Sequence, residues 1–104
     1  MYYTYMLRCE DNSIYTGITS NVERRMEEHF SQNEKCAKYT VSHQAKKLEV
    51  VWESENRVLA SKLEFHIKKS LTKKEKEELI KDSDLLDKFL GNKIEAANYK
   101  KINI

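Results

Sequence analysis

Apolar and polar positions along this chain alternate in short runs at the start and fall into helical stripes afterwards. Tyr2 to Cys9 and Ile14 to Thr19 are rich in Tyr, Thr and other strand formers, and the turn-forming run Glu10-Asp11-Asn12-Ser13 separates them, so a β-hairpin is predicted. Ser20 with Glu23 has the form of a capping box. Val22, Met26 and Phe30 come next at helical spacing, predicting a helix that fades by 31–33, with Glu23, Arg24, Glu27 and Glu28 on its solvated side. Residues 34–46 read as a polar loop around Ala37-Lys38-Tyr39-Thr40, and Leu48 to Trp52 as a third strand. A second helix, about Asn56 to Lys69, turns Leu59, Leu63 and Ile67 inward, with Glu64 beside that stripe. Thr72 with Glu75 caps another helix. Asp82 or Ser83 starts a short one bearing Leu85, Leu86, Phe89 and Leu90, which Gly91 ends. The last thirteen residues (Ile94, Tyr99, Ile102 and Ile104 among them) show no firm period and either dock on the domain or stay loose.

This order predicts an α/β (α+β) sandwich, with a small three-stranded, largely antiparallel sheet flanked by helices. Residues 1–81 form the principal unit, and 82–104 supply a helix and tail that are part of it or packed on it. Side-chain alternation adds a condition. Four loop residues joining the strands in simple register would point Tyr5 and Tyr15 to opposite faces. For both phenols to share a site the turn must hold an odd residue or a bulge, and that is the expectation here.

The two phenols gain chemical interest from the helix after the hairpin. Arg25 lies ten residues after Tyr15, and His29 one helical turn later on the same face. Two phenols, a guanidinium and an imidazole together can manage a proton and an anionic oxygen, as phosphodiester cleavage requires. Glu64 could add the carboxylate of a metal ligand. Taken singly, tyrosines in a hairpin are packing residues more often than catalysts, and a lone helical glutamate is usually surface. His43 reads as a loop residue, and His66, two positions from Glu64, points away from it on a helix.

Composition limits the picture without deciding it. The 104 residues give room for one domain, and the net charge of +2 permits a nucleic-acid partner without arguing for one. No run approaches the ~20 apolar residues of a membrane span, and MYYTYMLRC reads as a strand rather than a secretion signal. Cys9 and Cys36 fit no zinc spacing and are too few for a disulfide framework, so a reducing cytoplasm is the expectation. Lys68, Lys69, Lys73, Lys74 and Lys76 form the densest basic patch, able to track a phosphate backbone or simply to be solvated.

In order and spacing, Tyr3-Thr4-Tyr5, Tyr15-Thr16-Gly17, Arg25, His29 and the Glu64 helix resemble the GIY-YIG nuclease superfamily, specifically its small stand-alone bacterial members. The likeness covers about residues 2–80. Tyr3, Thr4 and Thr16 replace residues of the two signature triplets, and Ile18 stands where some members have lysine. The resemblance implies metal-assisted hydrolysis of DNA. Tyr5 would be general base, Tyr15 an orienting donor and His29 the proton acceptor. Arg25 would stabilise the transition state. Glu64 would hold one divalent cation, Mg²⁺ with Mn²⁺ an alternative. Lys38, Tyr39, Thr40, Lys68 and Lys69 would contact nucleic acid, branched and single-stranded DNA included, with Tyr39 stacking on a base. The alternative is a nucleic-acid-binding module of the same fold that cuts weakly or not at all and needs a protein partner for targeting. A structural protein that dimerises through Leu85, Leu86, Phe89 and Leu90 is a third reading.

Overall fold

The computed structural model describes residues 1–31 and 38–103. Cys36, Ala37 and Ile104, named among the sequence features, lie outside the described residues. The elements are β1 (Tyr2–Cys9), β2 (Ile14–Thr19), α1 (Val22–Ser31), α2 (Lys38–Ser42), β3 (Ala45–Ser54), α3 (Arg57–Ser70), α4 (Lys73–Lys81), α5 (Leu85–Leu90) and β4 (Lys100–Ile102), with a single 3-10 turn at Ala96–Asn98 before β4.

The sheet has four antiparallel strands in the order β2-β1-β3-β4, one more than the three expected. The extra strand comes from the C-terminal segment, where Lys100, Lys101 and Ile102 pair with Glu53, Trp52 and Val51. Three residues are too few to show a period of two, so the sequence pattern could not announce it.

Alternation along β1 sorts the core into two layers. Met6, with Val50 and Trp52 of β3, faces Leu63 and Ile67 of α3, Leu79 of α4, and Leu86 and Leu90 of α5. Tyr5 and Leu7, with Val51, face Met26 of α1 on the other side. Because Leu86 and Leu90 are buried in the first layer, they are not available as a dimerisation surface. Ile94 and Tyr99 complete that layer, so the segment after α4 contributes Leu86, Leu90, Ile94 and Tyr99 to the same core.

The hairpin meets its parity condition. Arg8 pairs with Ile14, leaving the five residues Cys9 to Ser13 between them. Cys9 N–H donates to the Ser13 carbonyl and Asn12 N–H to that of Cys9, each at 2.9 Å, and Asn12 takes φ 70°. This is a tight turn ending in a left-handed bulge residue, a position asparagine tolerates better than most. The extra residue puts Tyr15 opposite Leu7 and Gly17 opposite Tyr5, so both phenols lie on the α1 face.

Three helix starts differ from expectation: α2 (Lys38–Ser42) stands within the segment expected as a polar loop, α5 begins after Asp84 rather than at Asp82 or Ser83, and α1 is capped one residue later. Asn21, not Ser20, caps α1, its Oδ1 accepting from Arg24 N–H at 3.0 Å. Asparagine is at least as good a cap as serine, and its carbonyl already accepts from Arg25 N–H. Thr72 and Glu75 form the reciprocal capping box expected for α4, and Asn56 caps α3 through Leu59 N–H. Two hydroxyls tie α3 down near its start. Thr4 Oγ1 donates to the Ala60 carbonyl at 3.0 Å, and the Tyr99 hydroxyl to that of Leu59 at 2.6 Å.

Candidate active site

The site forms beside β2, one of the two edge strands of the sheet. Strand pairing brings Tyr5 and Tyr15 together, with ring centroids 6.2 Å apart. Gly17 makes that approach possible. A Cβ at this position would lie 2.5 Å from the Tyr5 hydroxyl oxygen and 2.9 Å from Cε2 of Tyr15. A glycine inside a strand is a known sign of close packing, and this chain has only two glycines. The sequence therefore carried a signal for Gly17 beyond its membership of a triplet.

Helical spacing then presents Arg25 and His29 to the phenols. The Tyr5 hydroxyl and His29 Nε2 are 2.6 Å apart, and His29 Nδ1 is 2.9 Å from Thr40 Oγ1. The His29 ring also meets both tyrosine rings edge-on, at 5.6 and 5.5 Å. Tyr5, His29 and Thr40 are all essentially sealed from solvent, at 1%, 0% and 0% exposure. Thr40, expected at the DNA backbone, therefore serves as the inner support of the imidazole. The face of α1 that packs inward is Met26 and His29, whereas Phe30, expected in the stripe by period alone, is 40% exposed. Glu28 is not on the solvated side either, since its Oε1 accepts from Arg25 Nη1 at 2.8 Å.

Electrostatics follow from this burial. Removal from water pushes the Tyr5 phenol far above its usual range. The neighbouring Arg25 guanidinium pulls it back in part, and Tyr15 and Glu64 oppose ionisation. Burial, with help from the Arg25 charge, lowers His29 to about 4, so the imidazole is neutral at neutral pH. If Nε2 accepts from the phenol, Nδ1–H donates to Thr40, which makes Tyr5–His29–Thr40 a continuous proton path.

Glu64 reaches the cluster from α3, which packs on the other face of the sheet and contacts β1 and β2. Its Oε2 is 3.5 Å from Lys68 Nζ, and that ammonium lies 5.3 Å from the Tyr15 ring centroid. Lys68, expected on a phosphate track or merely solvated, is a partner of Glu64, at an i,i+4 spacing visible in the sequence. Lys69 turns instead towards Phe65, its Nζ 5.5 Å from that ring, and Lys38 is exposed at the start of α2. Tyr39 stacks with Tyr15, ring centroids 5.4 Å apart, and with His43, 4.2 Å apart. Tyr39 is thus part of the stacked packing beside Tyr15. His43 in turn pairs with Asp11 in the hairpin turn, joining α2 to β1–β2.

Among the described residues, no three His, Cys, Asp or Glu side chains converge as a metal nest. Glu64 could offer a single hard oxygen ligand to a hydrated divalent cation. One carboxylate does not suit a structural zinc ion, which needs four protein ligands. No helix among the described residues is long and apolar enough to cross a membrane.

Comparison with known proteins places the chain in a family. Residues 1–78 match the GIY-YIG catalytic domain. The chain is 48% identical over 91 residues to UPF0213 protein FN1575 of Fusobacterium nucleatum, covering 88% of each chain. It is 36% identical over 89 residues to the UPF0213 protein YsiG of Lactococcus lactis, covering 86% of this chain and 84% of the relative. It is also similar to a solution NMR structure of the UPF0213 protein BH0048 from Bacillus halodurans, at 36% identity and a TM-score of 0.49, covering 78% of this chain and 84% of the other. The chain belongs to the GIY-YIG family, and its relatives are the small stand-alone UPF0213 proteins.

Proposed function

We propose that this protein is a DNA endonuclease that hydrolyses phosphodiester bonds with the help of one divalent cation. The observation that supports this most is the meeting of Tyr5, Tyr15, Arg25 and His29 on one face of the hairpin, with Glu64 linked to it through Lys68. Packing alone gives no reason for two phenols, a guanidinium, an imidazole and a carboxylate to converge.

Glu64 would hold the cation, Mg²⁺ or Mn²⁺, which when bound supplies positive charge to the scissile phosphate. Arg25, kept in place by Glu28, would set its fork on a non-bridging oxygen and stabilise the crowded transition state. Tyr5 is better placed as one half of a relay than as a free phenolate. As it takes the proton of the attacking water, it would pass its own to His29 Nε2, 2.6 Å away and neutral, so no phenolate accumulates in the buried site. Tyr15, half-buried rather than sealed, would donate its hydroxyl to the water or the phosphate.

The rival reading, a nucleic-acid-binding module with weak or no cleavage, draws on the burial of the Tyr5 hydroxyl. One assay separates the two. Supercoiled, branched and single-stranded DNA are incubated with Mg²⁺ or Mn²⁺ and the wild type, Glu64→Ala or Tyr5→Phe. Cation-dependent nicking lost in both variants supports the nuclease. Binding without cutting, unchanged by Glu64→Ala, supports the binding module. Activity that survives in both variants rejects the assigned site.

A further inference from the structure

Lys68 touches both halves of the site. Its ammonium stands 3.5 Å from the Glu64 carboxylate and 5.3 Å from the centre of the Tyr15 ring, so the carboxylate already faces a positive charge held against an aromatic face. Glu64 is only 25% exposed, which makes an unpaired carboxylate there costly, whereas Lys68 is 48% exposed and its long stem can swing away. Lys76 lies within electrostatic reach of Lys68, and the two like charges disfavour each other, so the Lys68 ammonium is not held only by Glu64's pull.

We propose that Lys68 is a displaceable counter-cation of Glu64, its ammonium holding the place at the carboxylate that the divalent cation takes. This rests on the reading of Glu64 as the cation ligand. The ion pair keeps the carboxylate turned towards Tyr15 in the ligand-free protein, and it keeps affinity for free cations low because an incoming ion must first displace the ammonium. Lys68 is thus a positioning residue, acting through Glu64.

The test is a titration with Mn²⁺ alone, without DNA, monitoring free Mn²⁺ by electron paramagnetic resonance. Removing the ammonium in Lys68→Met should tighten Mn²⁺ binding by about fivefold, the scale expected for a half-exposed charge beside a doubly charged ion. Lys68→Arg, which keeps the charge, should behave like the wild type, and Glu64→Gln should weaken binding. Circular dichroism confirms folding, with Lys68→Gln as the substitute if the Met variant does not fold. Should Glu64→Gln weaken Mn²⁺ binding while Lys68→Met leaves it unchanged or weaker, Lys68 is an ordinary helix-surface pair and the proposal is overturned. If Glu64→Gln has no effect, the assignment of Glu64 falls as well.

Discussion

Gly17 sits directly across the strand pair from Tyr5, and the side chain it lacks is the space the Tyr5 phenol occupies. The phenol cannot readily retreat, because its hydroxyl is held by His29 inside the protein. Gly17→Ala should therefore destabilise the fold by about 1–3 kcal/mol, the usual range for overpacking, even though alanine lowers the entropy of the unfolded chain. Urea unfolding would measure the loss. A variant as stable as the wild type would mean that the strands can part without strain.

Tyr5→Phe keeps the ring and deletes the hydroxyl, leaving His29 Nε2 buried without that partner. A cost of about 1–3 kcal/mol is expected from the orphaned nitrogen, together with a fall of roughly 10²–10⁴ in cleavage rate. Denaturant unfolding and a nicking assay read the two effects separately. Loss of stability without loss of rate would make the pair purely structural.

His29 sets an acid limit on stability. Its pKa falls from an ordinary 6.5 to about 4 on folding, so the unfolded chain binds the proton more readily between those values. The contribution is complete above about pH 6.5 and is lost as pH drops towards 4, amounting to something on the order of 3 kcal/mol. His66 is also held below its usual value, by burial and by the charges of Lys93 and Lys62, so the comparison belongs in a His66→Gln background. There, stability against pH should slope through this window, and a flat profile would contradict the buried neutral imidazole.

Thr16 offers a gain in stability. Its Oγ1 is buried on β2 with no hydrogen-bond partner among the described residues. Thr16→Val keeps the shape and removes the stranded hydroxyl, so stability should rise by about 1 kcal/mol, equivalent to roughly 4–8 °C in melting temperature. Calorimetry checks this, and an unchanged or lower melting temperature would show that the hydroxyl is satisfied.

How much of this the sequence discloses depends on how local each cause is. Tyr5 and Tyr15 can be placed on one face in advance because a period of two leaves only an odd turn as the solution, and Asn12 supplies it. Arg25 and His29 share a face by the same kind of arithmetic. The depth of His29 cannot be read, since it is set by Tyr5, 24 positions away, and Thr40, 11 positions away, on separate elements. Phe30 and Glu28 depart from expectation for that reason as well. A helical stripe gives the direction of a side chain, while the neighbouring segments decide whether it is covered.

Finally, the attachment of α3 reaches beyond the family domain. The backbone carbonyls of Leu59 and Ala60 are moored from two sides, by Tyr99 near the end of the chain and by Thr4 near its beginning. Glu64 lies a single turn further along the same rod. A stop codon after residue 90 would spare every candidate catalytic group, yet it would cut one of the two lines that fix where the carboxylate rides.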